Sequence, residues 1–293
     1  MAVWESSKNH SQGKSGQIAW RPLLWLNLVC LDAPLIAVGW KWLFARQFGV
    51  TMSASATYVL FLTAWLIYAA DRLADAICLR PLDPKSLRHE FCLRHRRLWL
   101  VAIVLIALAD AGIALALLEP ALFRPGLVLG VVATLYLVIN YWFNQVWQTV
   151  PIKECLVGSL FAAGTLFAPA VRISSITSTF LMAGFLFAIL CSLNCVSIAV
   201  WERDLDDQQG KRSIATRWAG AAGLAQWTPL ILAAMGVVMA FLHPARRALF
   251  VSLAASAVFL SCLHFASIRR DERTALADLV LLTPYLLLLM NVS

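Results

Sequence analysis

Apolar runs of about the length a bilayer requires, some 20 residues, recur along the chain with short polar interruptions. Nine stretches qualify, at roughly 23–45, 55–75, 98–118, 126–143, 155–172, 179–201, 220–242, 247–268 and 274–291. The pattern predicts an all-α membrane protein with nine transmembrane helices. No Gly/Ser linker, low-complexity tract or internal repeat divides it, so 23–293 reads as one polytopic domain behind a tail at 1–22. The tail is polar, the apolar run after it is longer than a signal h-region, and no small-residue cleavage site follows. A short cytosolic tail is the expectation.

Composition agrees with this picture. Hydrophobic residues make up 61% and charged residues 14%, against about a quarter charged in an ordinary soluble domain. The net charge of +8 would suggest a nucleic-acid partner until the charges are located. Six Lys/Arg lie at 76–97 (Arg80, Lys85, Arg88, Arg94, Arg96, Arg97), four at 202–219 and three at 269–273, with Lys8, Lys14 and Arg21 in the tail. With nine spans all of these fall on one side, and the other side carries Arg46, Arg124, Arg172, Arg246 and Arg247 near its loops. By the positive-inside rule the basic loops and the N-terminus are cytosolic and the C-terminus is outside. This suits a multi-pass protein of a bacterial inner or plasma membrane, with lipid and no nucleic acid as partner. The seven cysteines show no C-x-x-C spacing and read as small apolar packing residues.

Ionisable residues near hydrocarbon are costly, and two clusters stand out. The second span ends L-I-Y-A-A-D-R-L-A-D-A (66–76), and the sixth ends in W-E-R-D-L-D-D-Q-Q-G-K-R-S (201–213). In each, acids are four apart: Asp71 and Asp75, then Glu202 and Asp206. On a helix this stacks them on one face about 6 Å apart, which is destabilising unless a cation lies between them. Both clusters are expected at the cytosolic interface. Two facing carboxylate pairs suit Mg²⁺, which takes oxygen ligands and bridges protein carboxylates to phosphates. The interleaved Arg72, Arg203, Lys211 and Arg212 suit a metal–diphosphate complex better than a bare cation pathway. The alternative for each cluster is a solvated helix end.

These residues resemble the UbiA superfamily of intramembrane prenyltransferases. Glu202-x-x-x-Asp206-x-x-x-Gly210-Lys211-Arg212-Ser213 is similar to the family's second aspartate-rich motif, and Asp71-Arg72-x-x-Asp75 to the end of its first. The chain has Ile67-Tyr68 where the first motif has Asn-Asp, and Glu202 where the second begins with Asp, so the likeness is to a divergent member. The resemblance covers most of the chain and implies nine helices around a cytosol-facing cavity, with Mg²⁺ held by Asp71, Asp75, Glu202 and Asp206. It also implies diphosphate-facing groups in N-Y-W-F-N-Q-V-W-Q-T-V-P-I-K-E (140–154), where Tyr141 and Lys153 match. Lys153 reads also as a positive-inside anchor, and Tyr141 and Trp142 as interfacial aromatics.

The implied activity is ionisation of an isoprenyl diphosphate and transfer of the prenyl group to a lipophilic acceptor. Arg72, Tyr141, Lys153, Lys211 and Arg212 are the candidate catalytic groups, and Tyr68, Trp201 and Arg203 the candidate substrate contacts. Trp65, Phe161 and Phe167 lie at a depth where aromatic faces tolerate an allylic cation, or serve as packing. A terpene cyclase of the same fold, and a transporter or non-catalytic subunit, are the alternatives. The absence of detectable broken helices counts against a transporter. Asp32, Asp110, Asp278, Asn194 and His264 read as satisfied intramembrane groups, with Pro34 opening the backbone near Asp32. His89 and His95 have no ligand spacing.

Overall fold

The computed structural model describes residues 22–142 and 152–289, and among them every regular element is helical. The helices are α1 (Pro22–Leu28), α2 (Asp32–Gln47), α3 (Ala54–Ile77), α4 (Leu87–Arg94), α5 (Arg96–Leu117), α6 (Pro120–Trp142) and α7 (Lys153–Arg172). After these come α8 (Ser178–Trp201), α9 (Arg203–Gln208), α10 (Ile214–Arg217), α11 (Ala221–Leu242), α12 (Arg247–Phe265), α13 (Arg270–Leu279) and α14 (Thr283–Leu289). Seven helical segments are long and apolar enough to cross a membrane: α3, α5, α6, α7, α8, α11, and α12 with the 3₁₀ turn before it. The protein therefore has the build of an all-α, multi-pass membrane protein.

The first and last expected spans differ from expectation, because each is broken. The chain leaves α1 with Cys30 at φ 60, a left-handed conformation that is uncommon outside glycine. The Leu31 N–H then returns to the Leu26 carbonyl at 2.8 Å, closing α1 as a Schellman-type end. A carbonyl freed by this break, that of Val29, accepts the Trp65 indole N–H at 3.0 Å, so the interruption is not left unpaired in an apolar bundle. Pro34 is not the cause of the break. It sits in the first turn of α2, where proline is tolerated. At the other end, a 3₁₀ turn at Val280–Leu282 separates α13 from α14. There the Thr283 hydroxyl is tied to Ser252 O at 3.1 Å and to Ser256 Oγ at 2.7 Å. Broken helices, which the sequence does not reveal, thus occur at both ends of the described chain.

The core gathers around α8, whose Phe180, Phe187 and Leu190 pack with Trp40 and Phe44 of α2 and Phe250 and Leu253 of α12. Close approach of α7 to α8 depends on Gly158, where an added Cβ would stand 2.3 Å from the Ser192 backbone nitrogen. Small residues at such crossings let membrane helices reach van der Waals contact. By contrast α5 buries only Trp99, which stacks on Trp65 at 5.7 Å, and it turns leucines and valines outward along its length. That is the signature of a lipid-facing helix.

Candidate functional site

The C-terminal turns of α3 carry the first acid pair to one end of the bundle, where α6 also ends. The Tyr141 hydroxyl lies 2.9 Å from Asp71 Oδ1, 3.1 Å from Asp75 Oδ1 and 2.7 Å from the Asp71 carbonyl. The neighbouring Asn140 amide reaches Asp71 Oδ1 at 3.5 Å. A phenol has one proton to donate, so it serves one of these oxygens at a time. Two carboxylates are left converging on a point that a single hydroxyl cannot satisfy.

The second acidic segment is held by local backbone geometry. Helix α8 stops at Trp201, and Glu202 stands at the corner before α9. The pair expected on one continuous helix is therefore on a bent one. Its i,i+4 relationship survives through the Asp206 N–H bond to the Glu202 carbonyl at 2.8 Å. Helix α9 then ends in a complete Schellman motif. Gly210 takes φ 66, its N–H bonds the Asp207 carbonyl at 3.1 Å, and the Lys211 N–H bonds the Asp206 carbonyl at 2.8 Å. This reversal turns Lys211 back toward the first motif, where Nζ lies 3.3 Å from Asp75 Oδ2. The glycine after the acids thus turns the chain, and the lysine that follows joins the two acidic segments.

Glu202 is buried, and Arg88 of α4 forms an ion pair with its Oε2. Glu202 Oε1 is buried without a partner among the described residues. Helix α4 is placed by a capping box in which Ser86 and His89 bond reciprocally, Ser86 Oγ to His89 Nδ1 at 3.0 Å. Burial, with the Arg88 and Lys211 charges, pushes His89 down to about 3, so it is a neutral cap and not a proton carrier near neutral pH. Burial and the neighbouring Glu202 push Asp206 up to about 6, against the opposing charge of Lys211.

Other expected site residues are placed differently. Arg72 does not join the acids. Its guanidinium bonds the Asn27 carbonyl at 2.6 Å, Asn27 Oδ1 at 3.2 Å and the Tyr68 hydroxyl. One residue along a helix is a turn of about 100°, which carries Arg72 out of the Asp71 direction. Tyr68 follows it and donates to Asp278 Oδ2 at 3.2 Å. Trp201 packs on His264 at 4.8 Å and under Arg273 at 5.6 Å. Arg203 and Arg212 are exposed and take no part in the bonds that join the two segments. Lys153 is half-buried at the start of α7, and its charge acts on both Asp71 and Asp75. Residues 143–151 of the expected α6–α7 linker lie outside the described residues. Arg88 and Asn140 also belong to the site, and the sequence does not distinguish them. Asn140 stands beside Tyr141 in the apolar-to-polar junction, whereas Arg88 is one basic loop residue among six.

The oxygen donors meet the needs of Mg²⁺ only in part. Among the described residues no three His, Cys, Asp or Glu converge as a ligand set. Mg²⁺ commonly takes one or two carboxylates and completes its shell with water and substrate phosphate. The Asp71–Asp75 pair, converging on a shared hydroxyl, fits that smaller requirement, and the orphaned Glu202 Oε1 is a further oxygen without a donor. The residues therefore fit a magnesium ion held by the first pair. Comparison with family models, with curated proteins and with solved structures gives no match to this chain.

Proposed function

We propose that the protein is a Mg²⁺-dependent intramembrane prenyltransferase. On this reading it ionises an allylic diphosphate and passes the prenyl group to a lipophilic acceptor, within a UbiA-like bundle that crosses the membrane nine times. The observation that carries this reading is the junction of the two acidic segments: Asp71 and Asp75 converge under Tyr141, and Lys211 reaches Asp75 from the second segment. A carboxylate pair bordered by lysines matches the two signs of a metal–diphosphate complex. A simple cation pathway would have no use for Lys211 and Lys153 there.

Asp71 and Asp75 would hold the ion, which supplies charge neutralisation for the departing diphosphate. Lys211 and Lys153 donate charge-assisted hydrogen bonds to diphosphate oxygens, and Lys211 exchanges its Asp75 partner for them. Tyr141 fixes the orientation of the two carboxylates. Arg88 neutralises Glu202 and keeps the second pair from repelling the substrate. The apolar bundle excludes water from the allylic cation until the acceptor captures it. The same ionisation with internal capture by an alkene would give a terpene cyclase, and product mass distinguishes the two outcomes.

The proposed orientation follows the Lys/Arg asymmetry, with the N-terminus and the acidic segments cytosolic and the C-terminus outside. The test is incubation of the purified protein with allylic diphosphates of several chain lengths, with and without Mg²⁺. Pyrophosphate release and product mass are followed. Mg²⁺-dependent release with a prenylated or cyclised product is expected. No release at any chain length removes the reading.

A second reading has one specific observation behind it. The broken helices at both ends of the described chain bring polar groups together inside the bundle, as the discontinuous helices of secondary transporters do. A transporter would bind substrate without releasing pyrophosphate.

A further inference from the structure

The two broken helices meet at a polar cluster apart from the acid pairs. The Asn27 side-chain amide donates to Asp32 Oδ2 at 2.6 Å and to Asp278 Oδ2 at 3.1 Å. The Asn194 amide donates to Asp278 Oδ1 at 2.8 Å and the Tyr68 hydroxyl to Asp278 Oδ2 at 3.2 Å. Asp32 Oδ1 accepts the Ala33 N–H at 3.0 Å, and the carboxyl groups of Asp32 and Asp278 are drawn together as acceptors of the one Asn27 amide nitrogen. Asp32 is fully buried, and Asn27 and Asn194 are nearly so. Asn194 Oδ1 is buried with no donor among the described residues.

We propose that Asp32, fully buried, and Asp278, partly buried, form a two-carboxylate site that holds one proton and exchanges it with solvent through the cleft beside Asn27. Charge accounting requires the proton. Among the described residues the cluster contains one guanidinium, Arg72, against two carboxyl groups. With both ionised it carries an uncompensated negative charge, which is strongly unfavourable in an apolar interior. Two carboxyl groups drawn onto one amide nitrogen inside an apolar bundle do not both ionise near neutral pH. One shared proton brings the cluster to neutrality, and that proton belongs to the pair and not to either residue.

Facing the pair are Tyr68 and Arg72 from α3, Cys30 at the α1–α2 break and Cys195 from α8. Tyr68 spends its hydrogen on Asp278, and His264 of α12 stops at Ser197, 3.1 Å away. A cleft lined by Asn27, Ser86, Arg88, Glu202, Asp271 and Thr274 has the pair's own amide donor in its wall. It supplies the route by which the proton leaves and returns. Neither Asp32 nor Asp278 is among the residues assigned to Mg²⁺, so the pair stands whether the protein is a transferase or a transporter.

Infrared spectroscopy of the full chain in lipid nanodiscs tests the proposal, since a protonated carboxyl has a carbonyl stretch distinct from that of a carboxylate. Wild type is expected to show such a band at pH 7, shifted in D₂O and lost on alkaline titration. Asp32→Asn and Asp278→Asn should each abolish it, because the single carboxylate left behind is neutralised by Arg72. Asp278→Glu keeps two carboxyl groups and should keep the band, which separates loss of the site from loss of the fold. Asp110→Asn, at a partly buried carboxyl elsewhere that accepts from Thr63 at 2.7 Å, should leave the pair's band in place. A wild-type spectrum with no protonated carboxyl at pH 7 would overturn the proposal. So would a band that persists in both Asn variants, or one that appears only when sodium is withdrawn.

Discussion

Lys211 Nζ stands 3.3 Å from Asp75 Oδ2 across 136 residues of chain, and it links the two acidic segments directly. Its position follows from the left-handed Gly210 and the Schellman end of α9. Lys211→Met should lower pyrophosphate release about 10- to 100-fold, on the scale of one charge-assisted hydrogen bond of about 1.5–3 kcal/mol. Lys211→Arg should recover part of it. Arg212→Met, one residue on but exposed, should stay near wild type. Equal losses at 211 and 212 would point to general charge and not to this contact.

Asp71→Asn removes charge while keeping size, and Tyr141 can still donate to the amide oxygen. The fold should therefore survive while diphosphate ionisation falls by two orders of magnitude or more, since a metal clamp contributes several kcal/mol and each ~1.4 kcal/mol is tenfold. Asp83 provides the contrast. It caps an exposed turn by accepting the Arg80 N–H at 2.9 Å, and the amide oxygen of an asparagine there would accept the same bond. Asp83→Asn should therefore keep full activity. Release rates of the two variants at matched expression decide the matter.

Much of this organisation is legible in the sequence, and the exceptions have physical causes. Hydropathy finds the seven long helices because each contains an apolar stretch of 18 residues or more. It is blind to the breaks at Cys30 and Val280–Leu282, where a single φ or one tightened turn changes direction without changing composition. The four-residue spacing of Asp71 and Asp75 marks a shared face correctly. Interleaving in sequence misleads for Arg72, because adjacent residues on a helix point about 100° apart. The pairing of Arg88 with Glu202 spans 114 residues, and no local pattern among six loop cations selects the one that reaches it.

Topology is tested at the α3–α4 loop. Cys78 is exposed there, whereas Cys92 is buried against Trp65 and Trp99. A variant retaining only these two cysteines should label at Cys78 from the cytosolic face with an impermeant maleimide, and Cys92 should stay unlabelled until the protein is denatured. Labelling of Cys78 from the outer face alone would invert the proposed orientation and remove the acidic site from the cytosol.

Packing of α7 on α8 tolerates no side chain at Gly158, where a Cβ would meet the Ser192 backbone at 2.3 Å. Gly158→Ala should force the helices apart and cost about 1–3 kcal/mol or more, as overpacking does. Gly112→Ala on the lipid-facing α5, with nothing within 4 Å of the new Cβ, should be neutral or slightly stabilising through helix propensity. Unfolding in increasing denaturing detergent compares the two. A Gly158→Ala protein as stable as wild type would mean that α7 and α8 are not held this close.

Asp206 links stability to pH. Burial and Glu202 raise it from 3.8 to about 6 in the metal-free protein, so the folded state prefers its protonated form. The sign follows: stability from this group is fully present below about pH 4, declines as pH rises through 6, and is absent above that. Asp206→Asn imitates the protonated carboxyl at every pH. In the presence of a chelator the variant should match wild type at pH 4 and melt a few degrees higher at pH 8. The same variant should be slower in pyrophosphate release at pH 8 if the ionised carboxylate serves the diphosphate complex, so stability and activity move in opposite directions. Thermal unfolding at the two pH values, with release assays on the same samples, measures both. A stability gap that is the same at pH 4 and pH 8 would show that Asp206 is not the group being titrated.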